Sequence, residues 1–140
     1  MNPAIRLAHG TTDWFDMVGA QLCEAAARAG LPPDLRVSLV ERYTDGAALS
    51  AGLVQGLRFD IAGGTASFRV GARPGERAAI TVDITAAASH VLNTLHGADP
   101  AFHGALARFQ DSGEMRVDGD LAQLGAWFGA VHDRIVERTA

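Results

Sequence analysis

This chain of 140 residues has few or none of the features that identify a protein class directly: cysteine pairs, an excess of basic residues, a signal peptide or a long apolar run. Its one cysteine, Cys23, excludes an intrachain disulfide framework and indicates a reducing compartment. It has no lysine, and its net charge of −4 provides no general attraction for nucleic acid or anionic membranes. It shows no signal-peptide pattern and no apolar run long enough to span a bilayer. We therefore expect a cytoplasmic protein without a nucleic-acid partner or stable membrane insertion.

Motifs that carry chemistry are also missing. The sequence contains no G-x-S-x-G, no phosphate-binding loop and no C-x-x-C. Its five histidines form no pair at i, i+4 and no H-E-x-x-H. The sequence thus predicts no catalytic residue, no metal site and no cofactor.

What remains is the composition and patterning of a folded domain. With 48% apolar and 20% charged residues, the chain suits a single domain over residues 1–140. Thr11 or Thr12 can cap a first helix, Thr85 and Asp99 can cap two central helices, and Asp120 can cap a last one. Segments that read as strands by composition and by polar–apolar alternation lie at 35–43, 57–61, 66–70, 79–84 and 114–118.

This order of elements predicts an α+β fold. Four consecutive strands joined by turns favour a single, mostly antiparallel five-stranded sheet. Clean alternation along the strands indicates that helices cover one face while the other is wet. The wet face collects charges of both signs, which is typical of ordinary cross-strand pairing: Arg36, Arg42, Arg58, Asp60, Arg69, Asp83, Glu114 and Arg116.

Two stretches resemble the sterol carrier protein domain (type two). They are LRFDIAGGTASFRV and AAITVDITAAASHVLNTLHGADPAFHGALARFQDSGEMRVDGDLAQLGAWF, and the resemblance covers roughly residues 35–135. It implies an apolar cavity between sheet and helices that holds fatty acids, acyl-coenzyme A esters or sterols. The chain ends Glu137-Arg138-Thr139-Ala140, unlike the peroxisomal tripeptide of many eukaryotic members, so we expect a stand-alone bacterial relative.

A carrier of this kind needs residues that line its cavity. The covered sheet face, the helix above it and the last helix supply the predicted ligand-binding set: Phe59, Phe68, Ile80, Val82, Leu92, Met115, Leu124, Trp127, Phe128 and Val131. On a helical wheel Leu121, Leu124, Val131 and Ile135 fall on the side of Phe128. Gly125 and Gly129 are expected to loosen this helix so that it acts as a lid.

Two other classes stay open. A small enzyme of the ketosteroid isomerase or polyketide cyclase type would also enclose an apolar pocket, with Asp16, Tyr43 and His103 as its acid–base candidates. Its strands would end the chain, whereas this chain ends on a helix. A protein-interaction module would use the uncharged last helix as the seam of a homodimer.

Overall fold

The computed structural model describes residues 5–140, which form four helices and six strands. The helices are α1 (Thr12–Ala29), α2 (Ala86–Leu92), α3 (Pro100–Ser112) and α4 (Ala126–Glu137). The strands are β1 (Val37–Tyr43), β2 (Ala48–Ser50), β3 (Leu53–Ala62), β4 (Thr65–Ala72), β5 (Ile80–Ile84) and β6 (Met115–Asp118). A short 3-10 turn at Leu121–Gln123 precedes α4.

All six strands belong to one sheet. β3 pairs with β4 on one side and with β1 and the short β2 on the other, β5 pairs with β1, and β6 forms the far edge. Among the strand pairs of this sheet in the described residues, only β1–β5 is parallel; an isolated bridge between Leu7 and Thr139 outside the strands is parallel as well. The α+β class with a mostly antiparallel sheet is therefore confirmed. The short β2 is an addition that the sequence did not predict.

The parallel pair requires a connection across the sheet, because β3 and β1 separate β4 from β5. Residues 73–79 make this crossing over the face opposite the helices. Glu76 binds the guanidinium groups of Arg58 and Arg69, and Arg77 binds Asp83 and Asp118. The charges on the outer face therefore hold a loop in place in addition to pairing between strands.

The helices cover the other face. α1 packs on β3, β4 and α4, whereas α3 packs on α2 and β6. The helix ends confirm the predicted caps. Thr11 Oγ1 accepts from the backbone N–H of Trp14, and Thr85 Oγ1 accepts from that of Ala88. Asp99 caps α3 directly before its proline, as the sequence indicates.

The last helix differs from the prediction. Asp120 caps the 3-10 turn, and α4 begins only at Ala126. The break falls at Gly125, whose φ of 114° lies in a region that favours glycine. Leu121 and Leu124 therefore do not share a helical wheel with Phe128, and Gly125 cannot loosen a helix that it precedes.

The two glycines of this region should respond oppositely to alanine. At Gly129, inside α4, a Cβ would meet no atom within 4 Å, so Gly129→Ala should raise the free energy of unfolding by roughly 1 kcal/mol. Gly125→Ala should lower it by about 1–3 kcal/mol, because alanine is strained at that φ and its Cβ would crowd the Trp127 ring. Urea denaturation measures both. An increase for Gly125→Ala would mean that residues 121–137 form one continuous helix in solution.

Candidate ligand-binding cavity

A partly open cavity of about 380 Å³ lies between the sheet and the helices. This volume falls within the range of roughly 300–1,000 Å³ found for small-molecule sites. Its floor is formed by Leu39, Leu57, Val82, Ile84 and Met115, and its walls include Trp14, Phe15, Val18, Leu22, Leu92, Phe102, Leu106, Leu121, Phe128, Val131 and Ile135. The lining is thus overwhelmingly apolar.

The cavity exists because the helices diverge over the middle of the sheet. α1 lies over the β3–β4 side and α3 over the β6 edge, which leaves β1 and β5 between them. On these central strands alternate side chains point toward the helices. Leu39 and Val82 therefore face the space that α1, α3 and α4 enclose.

Five of the ten predicted ligand residues line this cavity. Val82 and Met115 come from the sheet, Leu92 from α2, and Phe128 and Val131 from α4. They come from four separate segments of the chain, and the fold brings them around one space.

The other five lie elsewhere. Phe59, Ile80 and Leu124 are sealed in the core, each with at most 1% of its surface exposed. The ring of Phe68 packs against Gly19 of α1. Trp127 donates its indole N–H to the carbonyl of Leu124 at 2.7 Å, with its ring 6.1 Å from that of Phe59.

Glu41 lines the cavity, and sequence reasoning missed it. The signal was present in β1, where Val37, Leu39 and Tyr43 are buried at alternate positions. The same alternation places Glu41 between Leu39 and Tyr43 on the covered face. A carboxylate at such a position is unusual and points to function more often than an exposed one does.

The surroundings of Glu41 are apolar. Its neighbours across the sheet are Leu57 on β3 and Val82 on β5, and both line the cavity. Its carboxylate forms no hydrogen bond or ion pair with residues 5–140. Every fully buried side-chain oxygen in that range has a hydrogen-bond partner, so the unpaired carboxylate oxygens of Glu41 are not fully buried. The carboxylate therefore opens into the cavity. Burial raises the pKa of Glu41 to about 7.

A hydrogen-bonded cluster adjoins the cavity. The Tyr43 hydroxyl lies 2.8 Å from His9 Nε2 and 2.7 Å from Ser89 Oγ. Asn93 Nδ2 donates to the Ser89 carbonyl, and Ser89 and Asn93 both line the cavity. Burial, and then the nearby His90, lower the pKa of His9 to about 4. The His9 ring is therefore neutral at physiological pH and serves as a hydrogen-bonding partner.

The acid–base candidates of an isomerase do not converge. Asp16 is exposed on α1 and does not line the cavity. The Tyr43 hydroxyl is engaged by His9 and Ser89, and burial followed by the charge of Glu41 raises the pKa of Tyr43. His103 lines the cavity from an exposed position on α3.

Metal-binding clusters and membrane-spanning helices are both absent from the described part of the chain. Residues 5–140 contain no group of three or more histidine, cysteine, aspartate or glutamate side chains placed to hold a metal ion. No helix in this range is long and apolar enough to cross a bilayer.

The fold and cavity together define an α+β domain built around an internal apolar space. No family model and no curated protein matches the sequence. Among solved structures, a sterol carrier protein 2 is similar with TM-score 0.49 and 16% identity over 91% of this chain and 96% of that one. A protein described as "UbiJ-SCP2 Ubiquinone synthesis protein" gives TM-score 0.48 and 18% identity over 89% of each chain. A Thermus thermophilus protein described as possibly a sterol carrier protein gives 0.41 and 17%, over 97% and 89%. Two of these descriptions name a sterol carrier protein, and the third carries the label SCP2.

Proposed function

We propose that this protein binds and carries a hydrophobic small molecule in the cavity between its sheet and helices, a fatty acid, acyl-coenzyme A ester or sterol-like lipid. The observation that supports this most directly is the apolar cavity of about 380 Å³. Protein cores are close-packed, and a void lined by leucine, phenylalanine and valine forfeits dispersion contacts. A ligand that fills the space would restore those contacts.

The geometry also supports a route of entry. Phe128 is half-buried and lines the cavity from the first turn of α4, next to the exposed Gly129. In the preceding segment, residues 119–125, the only regular structure is a short 3-10 turn, and a glycine with positive φ stands at each end. We propose that the start of α4 moves aside to admit the ligand. The apolar side of α4 then serves the cavity, which weakens the argument for a homodimer seam.

An enzymatic role remains the second candidate. A carboxyl with a pKa near neutrality in an apolar cavity, as in Glu41, is suited to general base catalysis. Against this, the donors that would stabilise a reacting oxygen are occupied, since Tyr43 and Ser89 bond each other and His9. We therefore favour a carrier without covalent chemistry.

Filling part of the cavity should weaken binding. Val82 projects from the floor, and phenylalanine there would place a ring in the empty space with little loss of stability. The probes are decylamine, decanol and decanoic acid, which share one alkyl chain and differ in the head group. We expect Val82→Phe to weaken the binding of each by about tenfold or more. Isothermal titration calorimetry measures this, and native mass spectrometry of the purified protein would reveal any lipid that co-purifies.

Val91→Phe is the matched control, because Val91 is 39% exposed on α2 and does not line the cavity. It should leave the three affinities within about twofold of wild type. Equal affinities in wild type and Val82→Phe would show that the ligands bind outside the cavity. Absence of binding by every probe would refute the carrier function.

A further inference from the structure

The polar groups of the cavity offer acceptors to a ligand. Glu41 presents a carboxylate that no residue in 5–140 binds. No arginine belongs to the lining of this described cavity, and the chain has no lysine, so no permanent cation neutralises that carboxylate from the wall. A cavity of this kind holds a negative charge that a ligand can complement.

Asn93 contributes a second acceptor. Its Nδ2 donates to the Ser89 carbonyl at 2.8 Å and lies 3.2 Å from Ser89 Oγ. A carbonyl oxygen can only accept, so this contact fixes the orientation of the amide. Asn93 Oδ1 has no hydrogen-bond partner among residues 5–140, and Asn93 lines the cavity. Asn93 is therefore a residue of the lining whose amide oxygen is free to accept a hydrogen bond.

The two histidines of the lining, His103 and His132, leave the cavity with more hydrogen-bond acceptors than donors for a ligand. His132 Nε2 lies 2.8 Å from the Leu95 carbonyl, which commits that nitrogen to donating within the protein. His103 lies at an exposed position on α3. Tyr43, the titratable neighbour of Glu41 on β1, is already bonded to His9 and Ser89.

Building on the proposed function, we propose that the cavity selects a hydrophobic molecule whose polar end donates hydrogen bonds, an alkyl amine or alcohol, with Glu41 as the group that receives it. An ammonium or hydroxyl would give the carboxylate the partner that the protein does not supply, and a charge-assisted hydrogen bond in an apolar surrounding is strong. A carboxylate ligand would place two like charges in the same apolar space. The cavity therefore discriminates against a fatty acid that enters with its head inward.

The test compares three ligands that share one decyl chain and differ only in the head group. Decylamine, decanol and decanoic acid are titrated calorimetrically into wild type at about pH 8.5, above the raised pKa of Glu41. We expect decylamine to bind tightest and decanoic acid weakest. Glu41→Gln should weaken decylamine binding by about tenfold or more and strengthen decanoic acid binding by a similar factor. Decanol should change by a few-fold at most, because the glutamine carbonyl still accepts.

Glu137→Gln is the matched control. Glu137 is exposed on α4, outside the cavity, and its substitution changes the net charge by the same amount. It should leave all three affinities unchanged, which separates a cavity effect from attraction of the amine to the acidic surface. Glu41→Leu should abolish the preference for decylamine, and thermal unfolding of each variant distinguishes loss of binding from loss of fold.

The outcomes separate the two proposals. If the three ligands bind wild type equally, or if decanoic acid binds best, the selection by Glu41 is wrong while the carrier function stands. Selection by Glu41 is equally wrong if Glu41→Gln leaves the order of affinities unchanged. If Val82→Phe weakens all three while Glu41→Gln reorders them, both are supported. Absence of binding by all three ligands overturns both.

Discussion

Glu41→Gln will make the protein more stable than wild type at about pH 8.5, by about 1–3 kcal/mol, and equally stable at about pH 4. The reason is the apolar setting of the carboxyl group, which opens between Leu57 and Val82 and has no partner in residues 5–140. Glutamine has the same shape and no charge, so it removes the cost of keeping an ionised group there. Urea denaturation of both proteins as a function of pH measures the difference.

The sign follows from the protons that each state holds. Burial raises the pKa of Glu41 to about 7, whereas the unfolded chain releases this proton near the ordinary value of 4.5. Between these values the folded protein binds more protons, so wild-type stability falls as the pH rises from about 4.5 through 7. The full shift corresponds to about 3 kcal/mol, and water that enters the cavity reduces it.

His9 acts in the opposite direction. Its pKa is lowered from 6.5 to about 4, by burial first and then by His90. The unfolded state therefore binds the extra proton in this window, and stability is lost as the pH falls from about 6.5 to 4. The two windows overlap, so the opposite slopes should largely cancel in wild type between about pH 4.5 and 6.5, whereas Glu41→Gln should show the slope of His9 alone. A Glu41→Gln curve parallel to wild type above pH 5 would show that the pKa of Glu41 is not raised in the folded protein, and Glu137→Gln serves as the control for net charge.

Local signals in the sequence were sufficient for most of the fold. Alternation in β3, β4 and β5 and the caps at Thr85 and Asp99 act over a few residues, and the structure agrees with them. The parallel pairing of β1 with β5 depends on a loop that crosses the sheet, and no local pattern encodes that path. The break at Gly125 was missed because an apolar run reads as one helix unless a glycine adopts positive φ, which composition does not reveal.

The cavity was harder to predict than the fold. Alternation identifies which face a side chain occupies, and it placed Ile80 and Val82 on the same face correctly. Alternation does not show where the covering helices lie apart. Ile80 is therefore fully buried in the core, whereas Val82 lies on the floor of the cavity. The same alternation also places Glu41 on the covered face. Its position in β1 shares the parity of Leu39 and Tyr43, but a glutamate is rarely found on a covered face, so its residue type predicts exposure where its position predicts burial.

The contact between Gly19 and Phe68 is the basis of a second large expected change in stability. A Cβ at Gly19 would overlap the Phe68 ring, so α1 rests on this aromatic side chain at a position where only glycine fits. Phe68→Ala should lower the free energy of unfolding by about 2–4 kcal/mol and leave the affinity for all three decyl ligands unchanged, because the ring lies outside the cavity. Weakened binding at preserved stability would instead return Phe68 to the ligand site.

A double-mutant cycle tests the contact itself. Gly19→Ala alone should destabilise the protein by about 2 kcal/mol, since overpacking outweighs the gain of roughly 1 kcal/mol in helix propensity. Gly104→Ala is the matched control in α3, where a Cβ meets no atom within 4 Å, and it should be neutral or stabilising. In the Gly19→Ala/Phe68→Ala double variant the new methyl group occupies space that the ring has left. It should therefore be more stable than the sum of the single effects predicts, and strict additivity would show that α1 does not rest on Phe68.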